Sequence, residues 1–191
     1  MYKRQIYYIE DQSAPLHNFD TTTMMFDPAP PMNAIAASET FSGGTFVEGV
    51  GSEGVGMNYC VANPNTTGSI GQLRAVGSPM AADNDLTLIA SNLPSLVFGL
   101  FLTSPTQGFV TNPGGSQGNL CLGGAIGRYV GPGQVQAANA SGILSLVLDL
   151  TQTPTPSNLV SIQAGETWNF QCWHRDGTTS NLTNGLEINF N

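Results

Sequence analysis

The sequence predicts an all-β protein: an antiparallel two-layer β-sandwich, jelly-roll or immunoglobulin-like, with about seven strands in its main module. Three observations predict it. Apolar residues recur with a period of two, most clearly at Leu144, Leu146, Leu148 and Leu150 and again at Trp168, Phe170 and Cys172. Turn-forming clusters interrupt the chain at short spacing, helped by 23 glycines and 12 prolines. No stretch carries a convincing amphipathic helical repeat.

The elements follow in order. Met1 to Gln5 reads as a translated sequencing adapter on a truncated environmental contig, so the native protein is expected to extend further upstream and to have lost its export signal there. Gln5 to Glu10 alternates weakly, as a strand would. Asp27 to Met32 is proline-rich and irregular. Ser42 to Gly56 is glycine-rich, with Glu48 and Glu53. Residues 6–53 therefore form a lead-in: a linker or the remnant of an upstream domain.

The pattern sharpens in residues 54–191. Asn63 to Gly68 is a turn cluster, and Ile70 to Val76 a strand closed by Gly77-Ser78-Pro79. Asp83-Asn84-Asp85 turns into an alternating run from Leu86 to Ser91, broken at Asn92-Leu93-Pro94. Leu96, Phe98, Leu100 and Leu102 share one face of the next strand. Thr111 to Ser116 is a long turn. Leu120 to Tyr129 is a strand whose three glycines imply a bulge or a close backbone approach. Gly131-Pro132-Gly133 turns again. Ile143 to Leu150 is the cleanest strand, and Thr153-Pro154-Thr155-Pro156 a rigid connector. In Ala164 to Asp176, Trp168, Phe170 and Cys172 face a core while Thr167, Asn169, Gln171 and Trp173 face outward, the signature of a half-buried strand. Leu186, Ile188 and Phe190 close the chain.

Composition narrows the function. Hydrophobic residues make up 40%, enough for a core, whereas only 9% are charged and the net charge is −8. Five basic residues are a poor match for phosphate backbones, so nucleic acid is not an expected partner. The longest apolar runs are too short to span a bilayer. Three cysteines permit one disulfide plus a spare thiol, and a disulfide would place the chain in an oxidising compartment. The absence of Cys-x-x-Cys argues against zinc.

Several segments together resemble a known module: Tyr59-Cys60, Asn65-Thr66-Thr67-Gly68, Leu86-Thr87-Leu88, Ala90 to Pro94, Gly108-Phe109-Val110, Leu120 to Gly124, Gly131 to Gln134 and Ala164 to Gln171. The module is the C-terminal β-rich unit of large exported proteins of planctomycete-type bacteria, and the resemblance covers residues 54–191. Trp168-Asn169-Phe170-Gln171 with His174-Arg175-Asp176 is its most specific part. The resemblance implies an exported, non-enzymatic unit with no established ligand. It also implies a Cys60–Cys121 disulfide, with Cys172 as a buried thiol.

Candidate chemistry is sparse. His174-Arg175-Asp176 is the triplet of a kinase catalytic loop, but that activity also needs a glycine-rich loop, a strand lysine and a downstream metal-binding aspartate. The plainer reading is a strand end whose Arg175 and Asp176 pair or cap a turn. The possible ligand-binding set is Trp173, His174, Arg175, Asp176 and Tyr129, with Trp173 and Tyr129 as stacking platforms along one groove. A serine nucleophile lacks a Gly-x-Ser-x-Gly elbow. Asp83, Asp85, Asp149, Glu166, Asp176 and Glu187 are the acids a glycosidase would need in a facing pair, but solvated turns and polar strand faces are the plainer explanation of them. Asp83 and Asp85 alone fall short of a calcium shell. No helix follows Gly123 to Gly127 to hold a phosphate.

The expected function is a structural or adhesive module of an exported or cell-envelope bacterial protein, not an enzyme, without metal or cofactor. Its partners would be glycans, neighbouring proteins or upstream domains of the same polypeptide. A carbohydrate-binding module and a fragment of a secreted hydrolase are the alternatives.

Overall fold

A computed structural model of the chain describes residues 54–191 and three short strands of the preceding segment. The Met1–Arg4 part of the adapter reading, the proline-rich 27–32 segment and residues 42–53 lie outside the described residues. Contacts divide the chain into two units, Met1–Gly49 and Val50–Asn191. In the first, β1 (Gln5–Tyr8), β2 (His17–Asp20) and β3 (Met25–Phe26) pair as an antiparallel meander.

The second unit is all-β, antiparallel and sandwich-type. In chain order it contains β4 (Met57–Tyr59), β5 (Gln72–Gly77), β6 (Leu86–Ser91), β7 (Phe98–Ser104) and β8 (Thr106–Thr111). Then come β9 (Asn119–Gly123), β10 (Gly127–Arg128), β11 (Gln136–Ala137), β12 (Leu144–Leu148), β13 (Thr153–Pro154) and β14 (Leu159–Val160). The last are β15 (Thr167–Asp176), β16 (Thr179–Leu182) and β17 (Gly185–Asn189). Every expected strand of this unit except Leu120 to Tyr129 is present as a single strand. No α-helix occurs among the described residues, and so none there is long and apolar enough to cross a membrane.

One sheet runs β10-β7-β15-β17-β4, with β11 also on β7 and β16 also on β15. The facing sheet is β12-β6-β5. Alternation makes the interface between them. Leu144, Leu146 and Leu148 of β12 and Leu86, Leu88 and Ala90 of β6 are buried while the residues between them are half-buried or exposed. They meet Phe101 of β7, Trp168, Phe170 and Cys172 of β15, and Leu186 and Ile188 of β17 in one apolar cluster. Removing a large aliphatic side chain from such a core costs about 2–5 kcal/mol.

Two local expectations change, and the structure adds the direction of one strand face. The Leu120–Tyr129 stretch is two strands in different places, β9 on β8 and β10 on β7. Gly123 and Gly124 make the break, with Gly124 at φ +59. The 153–156 connector is half of a small ribbon, β13 on β14. The face of β7 that carries Phe98, Leu100 and Leu102 points away from the sandwich interior. Phe101 is the large side chain that enters the interior, and Phe98 stays 61% exposed.

β15 is also more deeply buried than its sequence suggests. Every residue from Trp168 to Cys172 is buried, so both faces are covered. The apolar face meets the second sheet. The polar face lies under the β8–β9 hairpin, which forms a third layer over part of the sheet, and its amides are satisfied there. Gln171 Nε2 donates to the carbonyls of Thr183 (2.7 Å) and Asn119 (2.8 Å), and Gln171 Oε1 accepts the Cys121 N–H at 2.9 Å. Asn169 Nδ2 donates to the Ser104 carbonyl at 3.2 Å and its oxygen accepts from Gln107 at 3.1 Å. At the far end of the hairpin the backbone approaches so closely that a Cβ on Gly118 would lie 2.6 Å from the Leu182 nitrogen.

The Cys60–Cys121 disulfide is present, with Cα atoms 6.1 Å apart, and Cys172 is a buried free thiol. It closes a loop with a sequence separation of 61, worth about 4 kcal/mol on the chain-entropy account. Tyr59, next to Cys60, donates its hydroxyl proton to the Cys121 carbonyl at 3.0 Å and so adds a second tie between the same two segments.

Gln171→Leu keeps the volume but strands the Cys121 N–H and the Asn119 and Thr183 carbonyls. The expected loss is about 3 kcal/mol, read as a lower urea midpoint. A loss of about 0.5 kcal/mol or less would mean that these groups are satisfied without the amide.

Candidate functional site

The His174-Arg175-Asp176 triplet ends β15, and strand alternation separates its members. His174 and Asp176 point to the side that faces the second sheet and are fully buried, whereas Arg175 is exposed and Trp173 half-buried on the other side.

His174 Nδ1 lies 2.9 Å from the Arg175 carbonyl oxygen. A carbonyl only accepts, so Nδ1 carries the proton and Nε2 presents a lone pair. That Nε2 is buried and has no partner among the described residues. Gly71 packs against it, where a Cβ would come within 3.6 Å. Burial pushes the imidazole below its ordinary pKa, and the Arg175 carbonyl and Asp176 only partly oppose this. His174 is a neutral interior residue.

Asp176 accepts the Thr66 N–H at 2.8 Å on Oδ1 and the Asn181 amide at 3.3 Å on Oδ2. Burial alone would raise its pKa, but the hydrogen bonds from Thr66 and Asn181 hold it below the ordinary carboxylate value. The carboxylate ties the 63–68 turn to the β15–β16 hairpin. Asp176 therefore neither pairs with Arg175 nor caps the turn that follows; one bond reaches back 110 residues to Thr66 and the other forward five residues to Asn181.

Trp173 and Arg175 belong to a different surface. The Arg175 guanidinium sits over the Trp173 ring, 5.6 Å from its centroid. Beside them lies an open, mostly apolar cleft of about 260 Å³. Its floor is Leu100 and Leu102 of β7, Trp173 of β15 and Leu182 of β16; Leu120 of the hairpin and Pro113 form one wall, and Arg128 and Ser116 stand at its polar margin. The cleft exists because the β8–β9 hairpin covers only part of the sheet's outer face. None of its lining residues is acidic.

Tyr129 does not join this surface. It is 2% exposed and belongs to the apolar core, where burial raises its phenol pKa well above the ordinary value. The expected pair of stacking aromatics is thus reduced to Trp173. Among the described residues, Phe98 and Phe109, 61% and 63% exposed, are the aromatic side chains most open to the surface. For Phe98 the missing signal was the direction of the strand face, which alternation alone cannot supply.

The carboxylates are dispersed. Asp149 accepts from the Thr151 hydroxyl and N–H at the start of a 3₁₀ turn, which lowers its pKa. Glu166 accepts from Trp168 Nε1 at 2.9 Å and from the Gln163 N–H at 3.0 Å. Asp83 accepts from Ser78, and Glu187 from Gln107. No group of three His, Cys, Asp or Glu side chains able to hold a metal occurs among the described residues.

No family model, curated protein or solved structure matches this chain.

His174 binds a proton less readily in the folded chain than in the unfolded one, whose histidine titrates near about 6.5. Its contribution to stability is complete above that value and is lost as pH falls toward the lower folded value, because the unfolded state takes up the proton first. The urea midpoint is expected to drop between about pH 7.5 and pH 5. His174→Asn, which keeps a donor for the Arg175 carbonyl, should drop less over the same interval. Equal drops would assign the effect to other groups.

Proposed function

We propose that residues 54–191 are a non-catalytic binding module, structural or adhesive in role, of an exported or cell-surface protein. The observation that carries this reading is the open apolar cleft beside Trp173 and Arg175, lined by leucines and an arginine. Clefts that exchange apolar contact for water while keeping a charged rim suit recognition of a partner surface. The disulfide supports an oxidising compartment. The resemblance to the C-terminal unit of large exported proteins of planctomycete-type bacteria points the same way.

Two other readings have less support. A carbohydrate-binding module needs open aromatic faces along one groove. Here Trp173 is half-buried with Arg175 over its ring, and Tyr129 is in the core. A hydrolase needs two carboxyl groups facing one cleft; the cleft has none, and His174 is sealed behind the sheet.

The test is a parallel screen of the intact chain on a peptide array, a glycan array and a panel of chromogenic esters and glycosides. The expected result is retention on peptides, weakened about tenfold by Trp173→Ala, without turnover. Glycan retention lost in Trp173→Ala would favour the carbohydrate reading. Turnover that survives repurification would favour the hydrolase reading.

A further inference from the structure

The cleft's margins carry an uneven share of the unit's positive charge. Residues 54–191 contain six acidic residues and three arginines, and two of those arginines, Arg128 and Arg175, are exposed on this one face. The acids do not neutralise them. Five of the six, Asp83, Asp149, Glu166, Asp176 and Glu187, accept hydrogen bonds from neutral donors. Two cations beside an apolar trough, in a unit otherwise acidic, form a local field that favours an anionic, partly apolar partner.

Register supplies the shape of that partner. Arg128 pairs with Leu102 on β7. Trp173 pairs with Leu100, and Arg175 lies two residues further along β15, level with Phe98. The two cations therefore sit at opposite ends of the Leu102–Phe98 stretch, about 13 Å apart along the strand direction at 3.3 Å per residue. An extended peptide of about four or five residues covers that distance. The leucine floor between the cations would receive its aliphatic side chains.

Resting on the binding-module reading above, we infer that the cleft binds an extended polypeptide segment whose aliphatic residues are flanked by carboxylates, with Arg128 and Arg175 engaging the carboxylates at either end. A sugar is a poorer fit, since Arg175 occupies the space over the indole ring. An anionic bilayer is also a poorer fit, because the rest of the unit carries net negative charge that the membrane would repel.

The test uses the intact chain and a fluorescent pentapeptide of sequence Asp-Leu-Thr-Leu-Asp, followed by anisotropy. Controls are Lys-Leu-Thr-Leu-Lys and vesicles of phosphatidylglycerol. The acidic peptide is expected to bind about tenfold or more tighter than the basic one and to weaken with added salt. Arg128→Gln and Arg175→Gln should each weaken it about three- to tenfold without moving the thermal midpoint. Equal affinity for both peptides, an unchanged affinity in the double variant, or binding to vesicles alone would overturn the inference. If the double variant still retains partners on the arrays described above, the module reading stands and this occupant fails. If the intact chain binds neither pentapeptide nor array, both fail.

Discussion

A carboxamide sealed between a sheet and a hairpin has few arrangements that leave no donor or acceptor stranded, and Gln171 occupies one of them. Its nitrogen reaches the Thr183 and Asn119 carbonyls and its oxygen takes the Cys121 N–H. Each of these groups is away from water, where an unmade hydrogen bond costs about 1–3 kcal/mol. Sliding β15 by one residue against its neighbours would exchange Gln171 for Phe170 or Cys172 and put an apolar side chain opposite those same groups. The polar face of the strand thus fixes the register that the apolar face exploits. The disulfide acts at the same point, since Cys121 is both the covalent anchor of the hairpin and the partner of Gln171. Covalent closure brings the hairpin near, and the amide specifies where it sits.

The surface properties follow from how far the hairpin extends. Where it covers the sheet, Asn169 and Gln171 are enclosed. Where it stops, Leu100, Leu182 and Trp173 are left along the cleft. The same alternation places His174 and Asp176 on the inner side and leaves Arg175 free over the indole. A triplet that looks like catalytic equipment in one dimension becomes, in three, an interior brace and an exterior cation. The interior brace is expensive in one respect: the His174 Nε2 lone pair is buried without a donor among the described residues.

The leucine comb of β12, the alternation of β6 and the Trp168–Phe170–Cys172 face were legible because period two and burial coincide in a strand with one covered face. The outer face of β15 was not, because an asparagine or glutamine in solvent and one locked in a buried network are the same letter. Tyr129 was misplaced, and the exposure of Phe98 missed, for a related reason. Periodicity shows which residues share a face and is silent about which face is inside. β8 escaped notice because Thr106 to Thr111 is mostly exposed and is interrupted by Gly108, whose backbone lies against Leu122 and Gly123. The Cys60–Cys121 pairing rested on resemblance alone, since three cysteines leave three choices. The cleft was invisible because it depends on where one hairpin ends over another layer.

Native-state amide hydrogen exchange of the Cys121 N–H measures most directly whether the hairpin and β15 form one cooperative unit. If they do, this amide opens only with the core, at the same free energy as the Phe170 and Cys172 amides of β15. Exchange of Cys121 through a local opening more than about 2 kcal/mol easier than theirs would show that the hairpin lifts off by itself, and that the polar face does not set the register.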